Sequence, residues 1–179
     1  YNFNSQIKNN TFIKYYNIAS LAYNAKVTEN NDLYEKWYQE TKSFQLDSNE
    51  EPGHKYSLEL FRAMDSIHMG QGDYKSTSKG YLERALNILK GLYLPSDADT
   101  KLNSAVSKYL EIATVYNTLN DNANAKKILI EAETPLNNIK APNTKKTGVL
   151  NIVGKYGSFQ LVEDGFNKTQ TLLTLPADR

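Results

Sequence analysis

The segment Tyr109–Pro135, YLEIATVYNTLNDNANAKKILIEAETP, decides the fold of this chain. Apolar residues recur at intervals of three and four before a polar turn at Asn120-Asp121, and again after that turn. This spacing predicts two antiparallel helices that pack through one apolar face each. Ala113 and Ala125 are small where the two backbones would approach, and larger residues surround them. Such a pair cannot bury its apolar faces alone, so the segment predicts neighbouring pairs.

The same helical spacing continues through most of the 179 residues, and no segment alternates as a half-buried strand would. The pattern therefore predicts an all-α protein with about eight helices in antiparallel pairs. The predicted pairs cover residues 10–44, 55–92, 100–138 and 148–175. A chain of this length can bury one sizeable core, so we expect a single domain that spans residues 1–179.

The last predicted pair repeats part of the residue spacing of the segment Tyr109–Pro135. Residues 153–157, VGKYG, repeat the bulky, bulky, small spacing that residues 109–113 show. This register places the small residue of three first helices near Asp65, Ala113 and Gly157. These positions are 48 and 44 residues apart.

Turn-forming residues separate the predicted helices. Pro52-Gly53 ends a polar, acidic break that begins at Gln45, and Gly70–Asp73 is predicted to form a tight turn. Residues 139–147, which contain Pro142, are predicted to be a loop. Asp164-Gly165-Phe166 is predicted to turn the chain before its last helix.

The segment 106–139 resembles a tetratricopeptide repeat (TPR), a helix pair with a period of about 34 residues. The passage 72–86, GDYKSTSKGYLERAL, resembles the turn and second helix of such a repeat, with Ser78 in place of the usual Ala. Because the small positions are 48 and 44 residues apart, the resemblance implies an irregular TPR-like array. It implies helix pairs stacked as a right-handed superhelix, in a non-enzymatic domain that binds a protein or peptide in its concave groove.

Composition and motifs indicate no catalytic chemistry. The chain has 21 basic and 20 acidic residues and no Cys, so nothing favours nucleic-acid binding, disulfides or a thiol nucleophile. His54 and His68 lack the carboxylate spacing of a metal site, and Gly70-Gln71-Gly72 lacks the Lys-Ser/Thr of a phosphate loop. No window is apolar enough for a membrane helix. We therefore expect no enzyme activity, no cofactor, no metal site and no membrane insertion.

The resemblance also implies where a partner would bind. In a TPR-like stack the first helix of each pair lines the concave side, and residues beside the core positions project inward. By the register of Ala113 and by analogy with it, the implied partner-binding residues are Tyr16, Ser20, Tyr23, Asn24, Arg62, Ser66, Met69, Ser107, Leu110, Thr114, Asn117 and Thr118. Asn side chains can bond a peptide backbone, and Tyr and Arg are frequent interface anchors.

Two other functions stay open at this point. A closed pocket lined by some of the 13 Tyr would suit a sensor or carrier of a small ligand. Apolar faces exposed on the end helices would suit a structural module of a larger protein, with self-association through those helices. The chain starts at Tyr1 and shows no signal peptide, which indicates a fragment or processed chain of cytoplasmic or cell-envelope location.

Overall fold

The computed structural model describes residues 11–45 and 51–172. All regular secondary structure in this part of the chain is α-helical, as the sequence predicts. The helices are α1 (Thr11–Val27), α2 (Asn31–Ser43), α3 (Pro52–Met69), α4 (Tyr74–Leu92), α5 (Asp99–Thr118), α6 (Asn122–Glu131), α7 (Glu133–Asn138), α8 (Pro142–Ser158) and α9 (Val162–Leu172). The predicted helix ends at residue 10 and at residues 173–175 lie outside the described residues.

Helices α6 and α7 are two parts of one bent helix, so the described residues contain the eight helices that the sequence predicts. Only Ala132 interrupts the two parts. Pro135 explains the interruption, because proline has no backbone N–H for the Glu131 carbonyl and its ring crowds that oxygen.

Contacts divide the chain into two compact units, with the boundary inside α4 between Ile88 and Leu89. In the first unit, α1 packs on α2 and on α3. The hydroxyl of buried Ser78 on α4 donates a hydrogen bond of 2.9 Å to the Ala63 carbonyl on α3. In the second unit, α5 packs on α6, α7 and α8, and α9 packs on α8. Each unit therefore contains two consecutive helix pairs.

The turns within three helix pairs have the same geometry. Glu29, Asn120 and Gln160 each have a positive φ, of 56°, 59° and 61° respectively. In each turn this residue donates its amide to the carbonyl three residues earlier, and the next residue donates to the carbonyl five positions before itself. This is the Schellman motif, which satisfies the last carbonyls of the first helix. Gly70, with a φ of 63°, ends α3 in the remaining pair.

The common turn corrects the predicted register of the last pair. When Gln160 is aligned with Asn120, the register of the last pair shifts by four residues from the predicted one. The residue equivalent to Ile112 is then Ile152, whereas the predicted register assigned Tyr156 to that position. Gly157 is exposed, and a Cβ there would meet nothing within 4 Å. The small residue that α8 and α9 require is Gly165, which is buried. A Cβ at Gly165 would lie only 2.9 Å from the Tyr156 Cβ.

Three segments predicted as breaks or connections are wholly or partly helical. Pro52-Gly53, predicted to end a break, forms the start of α3. Pro142 begins α8, because proline suits the first helical position, where no intrahelical N–H bond is needed. Asp164-Gly165-Phe166 lies inside α9, and the chain turns earlier, at residues 159–161. Asn30 caps α2 by accepting a hydrogen bond from the Leu33 amide (3.2 Å).

First helices of consecutive pairs run in the same direction within each unit. In the first unit, Tyr16 contacts Phe61 and Tyr23 contacts His68, so the contacts advance together along α1 and α3. In the second unit, Asp99 in the first turn of α5 accepts hydrogen bonds from the amides just before α8. Within each unit, the first helices of the two pairs are therefore parallel.

Aromatic and small residues fill the cores of both units. Ala113 and Ala125 are fully buried, which confirms their expected place between α5 and α6. In the first unit, Tyr34 and Tyr38 of α2 pack against alanines of α1 and against Met69. None of the described helices combines the length and the apolarity that crossing a membrane requires.

Candidate functional site

A groove of about 310 Å³ runs between α1 and α3 in the first unit. Its lining is mainly aromatic and apolar, with one carboxylate and one imidazole. The lining residues are Tyr15, Tyr16, Ala19, Ser20, Tyr23, Asn24 from α1 and Phe61, Asp65, His68, Met69 from α3. The parallel course of the two helices places side chains of both helices along the same groove.

Two aromatic pairs bridge the groove. The rings of Tyr16 and Phe61 meet edge to face with centroids 6.3 Å apart, and those of Tyr23 and His68 do so at 6.1 Å. Each pair lies seven residues from the other along its helix, which corresponds to about 10 Å. Tyr16 and Tyr23 remain 55% and 50% exposed. The groove is therefore open to solvent along its aromatic edge.

Asp65 provides the carboxylate of the groove. The Tyr15 hydroxyl donates a hydrogen bond of 2.8 Å to Asp65 Oδ2. Burial raises the pKa of Asp65 above its ordinary value of 3.8, while the Tyr15 hydrogen bond and the nearby His68 oppose this rise. Burial, and then the charge of Asp65, raises the pKa of Tyr15, so the phenol stays a hydrogen-bond donor. The groove thus contains a half-buried carboxyl group that accepts a hydrogen bond from Tyr15.

Among the described residues, no cationic group forms an ion pair with Asp65. Arg62 instead bonds to Glu59 (3.1 Å) and to the carbonyl of Phe44 after α2. Lys26 donates to the His68 carbonyl (2.7 Å) and to the next carbonyl, and so caps the C-terminus of α3. Both side chains therefore serve the fold, and the groove keeps a net negative group.

The groove brings together five of the residues that the sequence selects: Tyr16, Ser20, Tyr23, Asn24 and Met69. Arg62 does not line this groove, and its side chain is only 14% exposed. The selected residues of α5 lie in the second unit. There Leu110 is buried, Thr114 and Thr118 donate to carbonyls of their own helix, Asn117 is half-buried and Ser107 is exposed.

On α3, the residues predicted from the sequence lie one position after the residues that line the groove. Phe61, Asp65 and His68 line the groove, and each immediately precedes a selected residue. Ser66 is buried, and its hydroxyl donates to the Arg62 carbonyl at 2.8 Å. A shift of one residue turns a helix face by about 100°. The error follows from taking Asp65 as the small core residue.

A periodic signal for the missed residues does exist in the sequence. Phe61, Asp65 and His68 have the same spacing of four and three residues as Tyr16, Ser20 and Tyr23. Matching these two sets would have identified the face of α3 that meets α1. Nothing in the sequence, however, shows that Arg62 bonds to Glu59 and to the Phe44 carbonyl.

A second cavity of about 280 Å³ lies in the second unit, between the end of α4, α5 and the bent helix α6–α7. Its lining is apolar except for a few polar groups. The two charged residues of this lining, Lys90 and Glu131, form an ion pair at 3.0 Å. Burial, with the charge of Glu131, raises the pKa of Tyr109 there. Unlike the first groove, this cavity has its charges matched internally.

Comparison with protein-family models, with curated proteins and with solved structures found no match. The candidate site is therefore defined by its geometry, and the groove of the first unit is the stronger candidate.

Proposed function

We propose that this protein binds a segment of another protein or a peptide in the groove between α1 and α3. The observation that carries the proposal is the open aromatic edge formed by Tyr16 and Tyr23 between two parallel helices. Tyrosine is a frequent anchor of protein interfaces, because its ring gives apolar contact area and its hydroxyl a hydrogen bond. The function proposed is binding and scaffolding, without catalysis.

A TPR-like array would explain how such a groove is built. Parallel stacking of first helices within each unit supports this proposal. The positive-φ residues that end the first helices, at positions 29, 70, 120 and 160, are 41, 50 and 40 residues apart. These intervals exceed the period of about 34 residues of regular TPRs. The proposed right-handed superhelix is accordingly an irregular one.

Pre-organisation is the proposed source of affinity. The groove residues lie on two helices, and Tyr15, Lys26 and Arg62 tie these helices to each other and to the end of α2 through side-chain hydrogen bonds. Because the walls are held before binding, little conformational entropy is lost when the partner enters. Ser20 and Asn24 add hydroxyl and amide groups that can bond a peptide backbone.

A small-ligand sensor or carrier is the alternative, since the groove is lined by three tyrosines. Pockets for small ligands span about 300–1,000 Å³ and bury most of the ligand surface. The groove of about 310 Å³ is at the lower end of that range. Its two rim tyrosines remain half exposed. This geometry favours a side chain of an extended partner over an enclosed ligand.

Selection from a displayed library of short random peptides tests the proposal. Peptides enriched on the wild-type protein should bind at least about tenfold more weakly to the double variant Tyr16→Ser/Tyr23→Ser, because truncating an aromatic anchor removes more than about 1 kcal/mol. Fluorescence anisotropy measures both affinities.

The matched control is Phe166→Ser, which truncates an aromatic residue of similar exposure, 63%, on α9. It should leave the affinity unchanged. Failure to enrich any peptide, or enrichment of peptides that bind the double variant as tightly as the wild type, would refute the proposed function.

A further inference from the structure

We propose that the groove between α1 and α3 accepts a basic side chain of the bound peptide, with its cationic group beside Asp65 and the rings of Tyr16 and Tyr23. This inference rests on the proposed function and specifies which chemistry the groove recognises. A lysine or arginine of the partner would supply the charge that Asp65 lacks within the described residues.

The first support is the state of Asp65. Its side chain is half-buried, and its hydrogen-bond partner among the described residues is the neutral Tyr15 hydroxyl. A desolvated carboxylate is unfavourable unless it is paired with a cation. No described residue forms an ion pair with Asp65, although Arg62 is only three positions away and bonds to Glu59 and to the Phe44 carbonyl. A cationic ligand would meet it.

The second support is the aromatic surface next to the carboxylate. Tyr16, Tyr23 and Phe61 line the same groove as Asp65. Cations bind favourably over aromatic faces, by about 0.5–2 kcal/mol depending on desolvation. The alkyl stem of a lysine or arginine also gains apolar contact, and Ala19 and Met69 supply it here. An anion would face a carboxylate and electron-rich rings, so charge complementarity selects a cation.

The charged groups around Asp65 do not provide that cation themselves. On α3, Arg62 bonds to Glu59, and His68 lines the groove without an ion pair to Asp65. On α1, Lys26 bonds to carbonyls at the end of α3. On α2, Lys42 lies over the Tyr38 ring at 4.0 Å, and on α4 the nearby titratable group is the phenol of Tyr81.

Titration with blocked tripeptides tests this inference on the intact protein. The probes are Gly-Lys-Gly, Gly-Arg-Gly, the uncharged Gly-norleucine-Gly and the acidic Gly-Glu-Gly, followed by nuclear magnetic resonance of backbone amides on α1 and α3. The basic probes should bind about tenfold more tightly than the norleucine probe, and the acidic probe should bind most weakly. In Asp65→Asn the preference for the basic probes should fall about tenfold.

Asp73→Asn is the matched control, because it removes a carboxylate of the same unit while its side-chain oxygen can still cap α4. It should keep the preference. Equal binding of the norleucine and basic probes to the wild type would overturn the inference without use of any variant. Tetramethylammonium binding as tight as that of Gly-Lys-Gly would overturn the peptide side chain as the occupant.

Failure here differs from failure of the proposed function. If library peptides bind through Tyr16 and Tyr23 but show no basic residue and no dependence on Asp65, the peptide groove stands and the cation preference is wrong. If no peptide binds at all, both proposals are wrong.

Discussion

Asp65 in the first unit and Asp99 in the second are two acids that link neighbouring pairs from opposite ends of their helices and in opposite environments. Each connects the first helices of two consecutive pairs. Asp99 accepts two hydrogen bonds, from the amides of Lys140 (3.0 Å) and Ala141 (2.6 Å), and these lower its pKa. Asp65 accepts one hydrogen bond, from Tyr15, and burial raises its pKa.

The difference separates an acid that serves the fold from one that is available to a ligand. Both oxygens of Asp99 accept a main-chain N–H, so its charge holds α5 and α8 together. Asp65 is half-buried beside an open aromatic groove and accepts one hydrogen bond from a described residue, so burial disfavours its ionised form. A group that is unfavourable for stability and adjacent to a cleft is a candidate for function.

The largest predicted loss of stability follows from disturbing the tight packing between α8 and α9 in the second unit. A methyl group at Gly165 would lie 2.9 Å from the Tyr156 Cβ, so Gly165→Ala forces α8 and α9 apart. We expect the free energy of unfolding to fall by about 1–3 kcal/mol, the usual effect of overpacking. Urea denaturation measures it.

The control for this prediction is Gly157→Ala on α8, where a Cβ meets nothing within 4 Å. Alanine is the better helix former, so this variant should gain up to about 1 kcal/mol. A Gly165→Ala protein as stable as the wild type would show that α8 and α9 are not in the close contact described.

The two aspartates should respond to pH in opposite directions. Because the folded pKa of Asp65 is raised, its ionised form lowers stability once the pH passes above 3.8 and fully so above the folded pKa. Asp65→Asn keeps an acceptor for Tyr15, so it should raise Tm at neutral pH by about 2–4 °C, the shift that ~1 kcal/mol produces in a chain of this size. The gain should disappear towards acid pH.

Asp99 has a lowered folded pKa, so its ionised form stabilises the protein above the unfolded pKa, and that contribution is lost as the pH falls through the folded pKa. Asp99→Asn turns an amide donor towards one of the two N–H groups and should lower Tm at neutral pH. Calorimetry from acid to neutral pH compares both variants with the wild type. Tm changes of the same sign would contradict the assigned roles.

The smallest predicted effect concerns a feature that both units share. Glu29 and Gln160 adopt the left-handed conformation that glycine tolerates and other residues resist. Glu29→Gly and Gln160→Gly should each change stability by less than about 1 kcal/mol, towards higher stability, because relief of backbone strain exceeds the added entropy of the unfolded chain. Asn120→Gly should gain less, since Asn accepts this conformation better. A loss of stability at Gln160 would contradict the turn geometry.

The two walls of the groove show how much of a binding surface residue spacing alone can predict. The face of α1 was predicted in register, because Tyr16, Ser20 and Tyr23 recur at intervals of four and three residues. The face of α3 was predicted one residue out of place, since a polar residue, Asp65, was matched to a small core position. Assigning one residue of a helix to the wrong position turns the whole predicted face by about 100°.

The sequence by itself determined the helical class, the number of helices and the pairing around the segment 109–135, because these follow from local periodicity and turn chemistry. Tertiary structure alone decided the register of the last pair, where a non-glycine residue, Gln160, forms the turn and Gly165 serves close packing. It also decided that Arg62 pairs with Glu59 and that, within the described ranges, Asp65 has no cationic partner. Such choices depend on which long-range neighbours compete for one side chain, and this competition is not encoded in the spacing of residues along the chain.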